Sequence, residues 1–298
     1  MTTLRILIKR NIKLYFKDKG MFFTSLITPA ILLVLYATFL NNVYRDTFVS
    51  NLPEQFEISE SLLNGLVSGQ LISSLLAVSC VTVAFCSNFL MVQDKALGTI
   101  HDLRISPVKP STLSLSYYIA TLVSTLFISL IAYGICLAYV ASVGWYLSVS
   151  DVLCMLLDIV LLVLFGTALS SVINFFLSSQ GQISAVGTII SSGYGFICGA
   201  YMPISSFSEG LQTVISFLPG TYGTGLMRNH AMQGALGEME TQGIPLEVVN
   251  SFRDALDCNL YFFDNKVSIP AMYLILGTAT LLLIGIYILL NVTKKKIR

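Results

Sequence analysis

Few residues in this chain of 298 could do chemistry, and the one whose setting asks most of it is Asp158. It is the single formal charge inside a long apolar run, and burying an unpaired carboxylate there costs on the order of several kcal/mol. Such an acid is a candidate to pair with a substrate cation or to relay a proton. It also stands about 10 Å from one end of its run, at ~1.5 Å per helical residue, where water or a polar contact between helices could satisfy it. The other reactive groups are sparse. The two histidines, His101 and His230, fall on opposite sides of the expected membrane and cannot share a metal or a catalytic dyad. Five of the six cysteines lie in apolar runs. Cys258 stands alone in an outer segment, and none has metal-ligand spacing; they read as small packing residues. The chain contains no Gly-Lys dipeptide, so a phosphate-cradling loop of the G-x-x-x-x-G-K-[ST] kind is absent. No Ser/His/Asp or paired-carboxylate arrangement stands out. The expectation is a protein that is not itself an enzyme, binds no metal and has no nucleic-acid partner.

The elements that must position these groups are apolar helices. The chain is 55% hydrophobic and 11% charged, against about 25% charged residues in a soluble domain. Six stretches approach the ~20 apolar residues a bilayer requires: 21–40, which contains Pro29, 66–92, 113–140, 152–177, 183–203 and 268–290. Six spans put both termini on one side. Of the 17 Lys and Arg residues, thirteen fall on that side and four on the other, which by the positive-inside rule makes the termini cytoplasmic. The acids lean outward, as with Glu54, Glu57, Glu60, Glu209, Glu238, Glu240 and Glu247.

Residues 4–19 form a separate unit. Arg5, Lys9, Lys13 and Lys17 recur every four positions, while Leu4, Leu7, Ile8, Ile12, Tyr15 and Phe16 fill another face. This is a basic amphipathic helix suited to lie among inner-leaflet lipid headgroups. The outer segment 41–65 is broken by Pro53. The outer segment 204–267 opens after Pro203, and Leu211, Val214, Ile215 and Leu218 have the spacing of a short amphipathic helix before Pro219. It is too small for an independent domain with a large core. In the fifth span, Gly195 and Gly199 form a small-xxx-small pair that permits close helix approach, either within the chain or at a dimer interface or conduit. Gln93–Pro107 is a charged island between residues 61–92 and 110–150, neither of which carries a Lys, Arg, Asp or Glu.

That island is similar to the E-R-E-x-G-T-L…L…SP pattern of ABC type-2 exporter permeases. Asp94, Lys95, Gly98, Thr99, Ile100, Leu103, Ser106 and Pro107 match it or substitute conservatively, and Ala96 departs from it. Gly199-Ala-Tyr-Met-Pro203, then Pro219, Tyr222 and Arg228, resemble the family's G-x-F-x-P…P…Y…R pattern. The resemblance covers nearly the whole chain. It implies a single all-α transmembrane permease domain over 1–298, with an interfacial helix, a cytoplasmic coupling segment at 93–112, six spans, and short re-entrant helices before the last.

The resemblance also implies a function. Two permease chains would pair, a homodimer before a heterodimer, above two copies of an ABC ATPase. ATP-Mg would be bound by that partner and no cofactor by this chain. Spans two and five would line the route. Their Ser, Thr, Cys, Asn88, Gly and aromatic side chains suit an amphipathic or apolar cargo such as a drug, lipid, peptide or glycoconjugate. The location implied is a bacterial inner membrane. Two other classes compete: an ATP-independent secondary carrier working through Asp158, and an immunity or sensor subunit whose acidic outer loops bind a cationic peptide.

Overall fold

The computed structural model describes residues 2–50, 58–106, 108–263 and 265–296. Pro53, Glu54, Glu57 and Pro107 lie outside the described residues.

Helix α1 (Thr2–Lys17) buries Leu7, Asn11 and Tyr15, one residue per turn, and leaves Arg5, Lys9, Lys13 and Lys17 exposed. The chain turns at Asp18, whose Oδ1 accepts the Met21 N–H at 3.0 Å and caps α2 (Lys19–Leu35). Pro29 sits inside α2, and a π-helical turn at Tyr36–Leu40 joins it to α3 (Asn41–Ser50). The axis of the bundle is α4 (Glu60–Ala96), 37 residues and about 55 Å long at ~1.5 Å per residue. It is apolar on all sides, and a helix of that kind belongs in an interior; here α2, α6, α7, α8 and α10 surround it. Gly98, at φ 80°, breaks the axis and starts the short α5 (Thr99–Ile105). Two long helices follow, α6 (Pro110–Val143), opened by proline, and α7 (Val149–Phe176), opened by a reciprocal Ser148/Asp151 capping box.

A second capping box, Ser179/Gln182, starts α8 (Gln180–Ile197). This helix runs antiparallel to α4. At its start, Lys95 reaches the carbonyls of 174–177. Midway, Gly187 faces Phe89. Just past its end, the Gly199 carbonyl and Ser74 share Arg228 as donor. The segment expected as an outer loop is mostly ordered: α9 (Glu209–Ser216), α10 (Pro219–Thr241), α11 (Leu246–Ala255) and a hairpin of β1 (Leu260–Phe262) and β2 (Asn265–Val267), with Tyr261 opposite Lys266. The last helix, α12 (Ile269–Lys296), returns along α7 and α10.

Among the described residues, five helical stretches are long and apolar enough to cross a membrane: Lys19–Asp46, Glu60–Ala96, Pro110–Val143, Val149–Phe176 and Ile269–Thr293. The expected fifth span is not one of them. Its helix ends at Ile197 rather than near residue 203, and four glycines with several Ser and Gln dilute its apolarity. The chain still returns to one end. Ser114 Oγ bonds Asn291 at 2.6 Å and Arg10 bonds Asp94, so α1, α5, the start of α6 and the end of α12 share the termini end. The α6–α7 loop, α9, α11 and the hairpin occupy the far end.

Candidate functional site

At the termini end, the last turn of α4 is fastened on two sides by adjacent residues. Asp94 receives Arg10 in a two-pronged pair, Nη1–Oδ2 at 2.7 Å and Nη2–Oδ1 at 3.2 Å, and also accepts the Tyr117 hydroxyl. Arg10 donates to Asn11 Oδ1, and Asn11 Nδ2 donates to Ser116 Oγ at 3.3 Å, so α1 is tied to both α4 and α6. A bidentate guanidinium–carboxylate pair fixes direction as well as distance. Lys95 points the other way. Its Nζ donates to the carbonyls of Asn174, Phe175 and Leu177 at 2.8, 2.9 and 3.0 Å and lies 5.7 Å from the centre of the Phe175 ring. These carbonyls lie at the negative end of α7, where a cation is favoured, and the Asn174 carbonyl also accepts the Leu177 N–H at 3.3 Å.

This changes the roles expected of the coupling residues. Asp94 is buried and Lys95 is engaged with α7, so both side chains are turned to partners within this chain. Ile100 is buried and Leu103 packs against the core, one helical turn apart, and they seat α5 instead of projecting from it. Thr99 is half-buried, and Ser106 closes α5 by donating to the Leu103 carbonyl. The side chains facing outward are Leu97 and Ile105, each 74% exposed, with His101 and Asp102. Leu97 and Ile105 escaped the sequence reading because an apolar residue beside an apolar span carries no signal of exposure. Arg10 escaped because it stands outside the four-residue repeat of basic positions.

The residues expected on a route or interface are also spent internally. Asn88 is buried and donates to Ser170 and Ser171 Oγ, both at 3.0 Å, joining α4 to α7. Since α4 has no open face, Asn88 lines no surface of this chain. Gly195 and Gly199 do not form a packing stripe. The Tyr201 ring lies over Gly195, and Gly199 lies beyond the helix at φ 72°, where a side chain is strained. Pro203 precedes a short 3-10 turn at Ile204–Ser206.

Two buried polar centres hold α10 at the far end. Arg228 is fully buried; it donates to the Gly199 carbonyl at 2.9 Å, Ser74 Oγ at 3.3 Å and Asp257 Oδ2 at 3.3 Å. Asp257 also accepts the Ile204 N–H at 2.8 Å. Burial pushes the Asp257 carboxyl up, with the guanidinium and this N–H acting against it. One helical face along, His230 Nδ1 lies 2.7 Å from Asp158 Oδ2, and the Tyr273 hydroxyl donates to Asp158 Oδ1 at 2.7 Å. Asp158 is therefore a three-helix tie between α7, α10 and α12. The sequence marked Asp158 by its isolation, but its partners are 72 and 115 residues away and no local pattern connects them.

A bundle of apolar helices built around a fully buried central one, with an amphipathic helix lashed across one end, defines a multi-pass helical membrane protein. Comparison with known families matches residues 2–231, more than half of the chain, to the ABC-2 type transporter family, and the chain belongs to it. Proteins of this family are membrane subunits that normally work with an ABC ATPase, so this chain is a transporter permease subunit. No curated protein matches it.

Proposed function

We propose that the chain is the permease of an ATP-driven exporter, paired with a second permease chain and coupled at its termini end to two separate ATPase subunits that bind ATP-Mg. The observation that carries this reading is the construction of α5: anchored inward through Ile100 and Leu103, it turns Ile105 outward, beside the exposed Leu97 that ends α4, at the end where charged residues concentrate. Exposed apolar side chains on and beside a short, well-anchored helix suit a protein partner. Positive charge at this end supports cytoplasmic termini, with Arg5, Lys9, Lys13 and Lys17 toward anionic lipid.

A pairing or cargo-lining face is best sought on α8. Ser184, Thr188 and Ser192 recur at every fourth position and all are exposed. Small hydroxyl residues suit a helix–helix contact or a wet lining better than lipid. The apolar surroundings of that stripe, including Ile189 and Phe196, fit an amphipathic or apolar cargo. A bacterial inner membrane follows from the family reading alone.

The test is affinity purification in mild detergent from the native host. A stoichiometric ABC ATPase should accompany the wild-type chain and be lost from a Leu97→Glu/Ile105→Glu variant whose thermal unfolding is unchanged. A charge set into an apolar contact opposes association, and tenfold corresponds to about 1.4 kcal/mol, so the double change should weaken association tenfold or more. Recovery of the chain without any ATPase, under conditions that keep other ABC complexes intact, would sink the proposal.

A further inference from the structure

The end of α4 divides in two directions, and one of them concerns elements that α5 does not touch. Asp94 leads to α1 and α6. Lys95, the next residue, leads to α7 and α8, because the three carbonyls it binds lie within four residues, two of them in the last turn of α7 and the third in the Leu177–Ser179 turn that opens α8. A lysine ammonium has three donors, and these carbonyls are within reach of them at 2.8, 2.9 and 3.0 Å. The Lys95 side chain is thus a polar link between the last turn of α4 and the end of α7, one to two turns beyond the Asn88 bonds to Ser170 and Ser171. α8 starts at Gln180, directly after the Leu177–Ser179 turn, and carries the outward Ser184–Ser192 stripe.

A second feature lies at the same end of α7. Asn174, whose carbonyl Lys95 takes, is fully buried, and neither its side-chain oxygen nor its nitrogen has a hydrogen-bond partner among the described residues. A buried amide left unpaired at both ends is costly, and a second arrangement of this turn that pairs it would recover that cost. An element with two arrangements of similar free energy is what transmission through a packed protein requires.

We propose that Lys95 is a positioning residue that carries movement of α5 to α7 and α8. When a docked ATPase displaces α5, the end of α4 moves with it. The Lys95 ammonium draws the α7–α8 turn along, and α8 shifts against the rest of the bundle. The inference rests on the ATPase-coupled reading given above and adds the route by which coupling reaches the α8 face.

The experiment uses the full complex with its ATPase in lipid nanodiscs and needs no cargo. In a chain with its native cysteines replaced, paired nitroxide labels report two distances: His101→Cys on α5 to Thr293→Cys on α12, and Ser184→Cys on α8 to Thr293→Cys. Each is recorded without nucleotide and with ATP-vanadate. In the otherwise wild-type chain both distances should shift. In Lys95→Met the α5 shift should persist and the α8 shift should fall to less than half. Lys95→Arg, which still donates to carbonyls, should restore it. Lys95→Gln, which keeps one donor group, serves in place of Lys95→Met should the latter fail to assemble. An α8 shift that survives loss of the ammonium overturns the role of Lys95 and leaves the permease reading intact. Absence of any α5 shift in the wild-type complex overturns the coupling reading, and this inference with it.

Discussion

Arg228 and Asp257 show how much one buried residue can hold together. The guanidinium joins α10 to α4, to the turn after α8 and to the Asp257 carboxylate. Removing one partner of a buried ion pair leaves an uncompensated charge and costs about 3–5 kcal/mol. Arg228→Ala should therefore lower unfolding stability in detergent by about that amount. Adding Asp257→Asn should cost less than the sum of the single changes, since the orphaned carboxylate is then neutralised. Additive losses would mean that the two groups do not interact. Next to this pair, burial pushes the Cys258 thiol up from 9.0 to about 12. In the unfolded chain the thiol ionises from about pH 9, whereas in the folded chain it keeps its proton, so stability should fall between about pH 9 and 12. Cys258→Ala should flatten that stretch of the pH–stability curve. Of these residues the sequence pattern marked Arg228 through family likeness, and Cys258 as a packing residue. It had no means of marking Asp257, which is one of several acids in a polar stretch until the fold turns it inward.

At the scale of elements, α10 is longer and more buried than the short re-entrant helices that family likeness implied for this stretch. Its 23 residues include Arg228, Asn229 and His230 and many glycines, so no apolar periodicity betrays it, yet it is among the most buried helices in the molecule. Polar side chains reach the interior here because each finds a partner on another element, which only the folded arrangement provides. Asp158 illustrates the consequence. Its pairing with His230 and Tyr273 makes it a tie, and Asp158→Asn should lower stability by about 1–3 kcal/mol through an imperfectly paired site, with the ATPase still copurifying. A variant as stable as the wild type that abolishes a transport which the wild type drives by an ion gradient would favour the carrier class instead. The element α1 was legible as a basic amphipathic helix, apart from the parts played by Arg10 and Asn11. Its basic repeat and its Leu7, Asn11, Tyr15 face obey the helical period, and amphipathicity at a surface is a local property of the chain.

For the molecule as a whole, the sidedness of charge makes a prediction independent of any partner. Lys17 and Glu247 lie at opposite ends of the bundle and both are exposed. In a cysteine-free chain, Glu247→Cys should react with a membrane-impermeant maleimide in intact cells, and Lys17→Cys only after permeabilisation. The reverse pattern would invert the topology and remove α5 from the cytoplasm. The sequence by itself determined the class of the protein, four of its long helices nearly to their ends, the surface helix α1 and the charged segment at 93–107, because hydrophobic length and charge placement act within a short stretch of chain. The tertiary structure alone decided which helix is central, that Asp94, Lys95 and Asn88 are turned to internal use, and that Leu97 and Ile105 remain outside. Those outcomes depend on contacts between residues about 80 or more positions apart, and a linear pattern holds no record of such pairings.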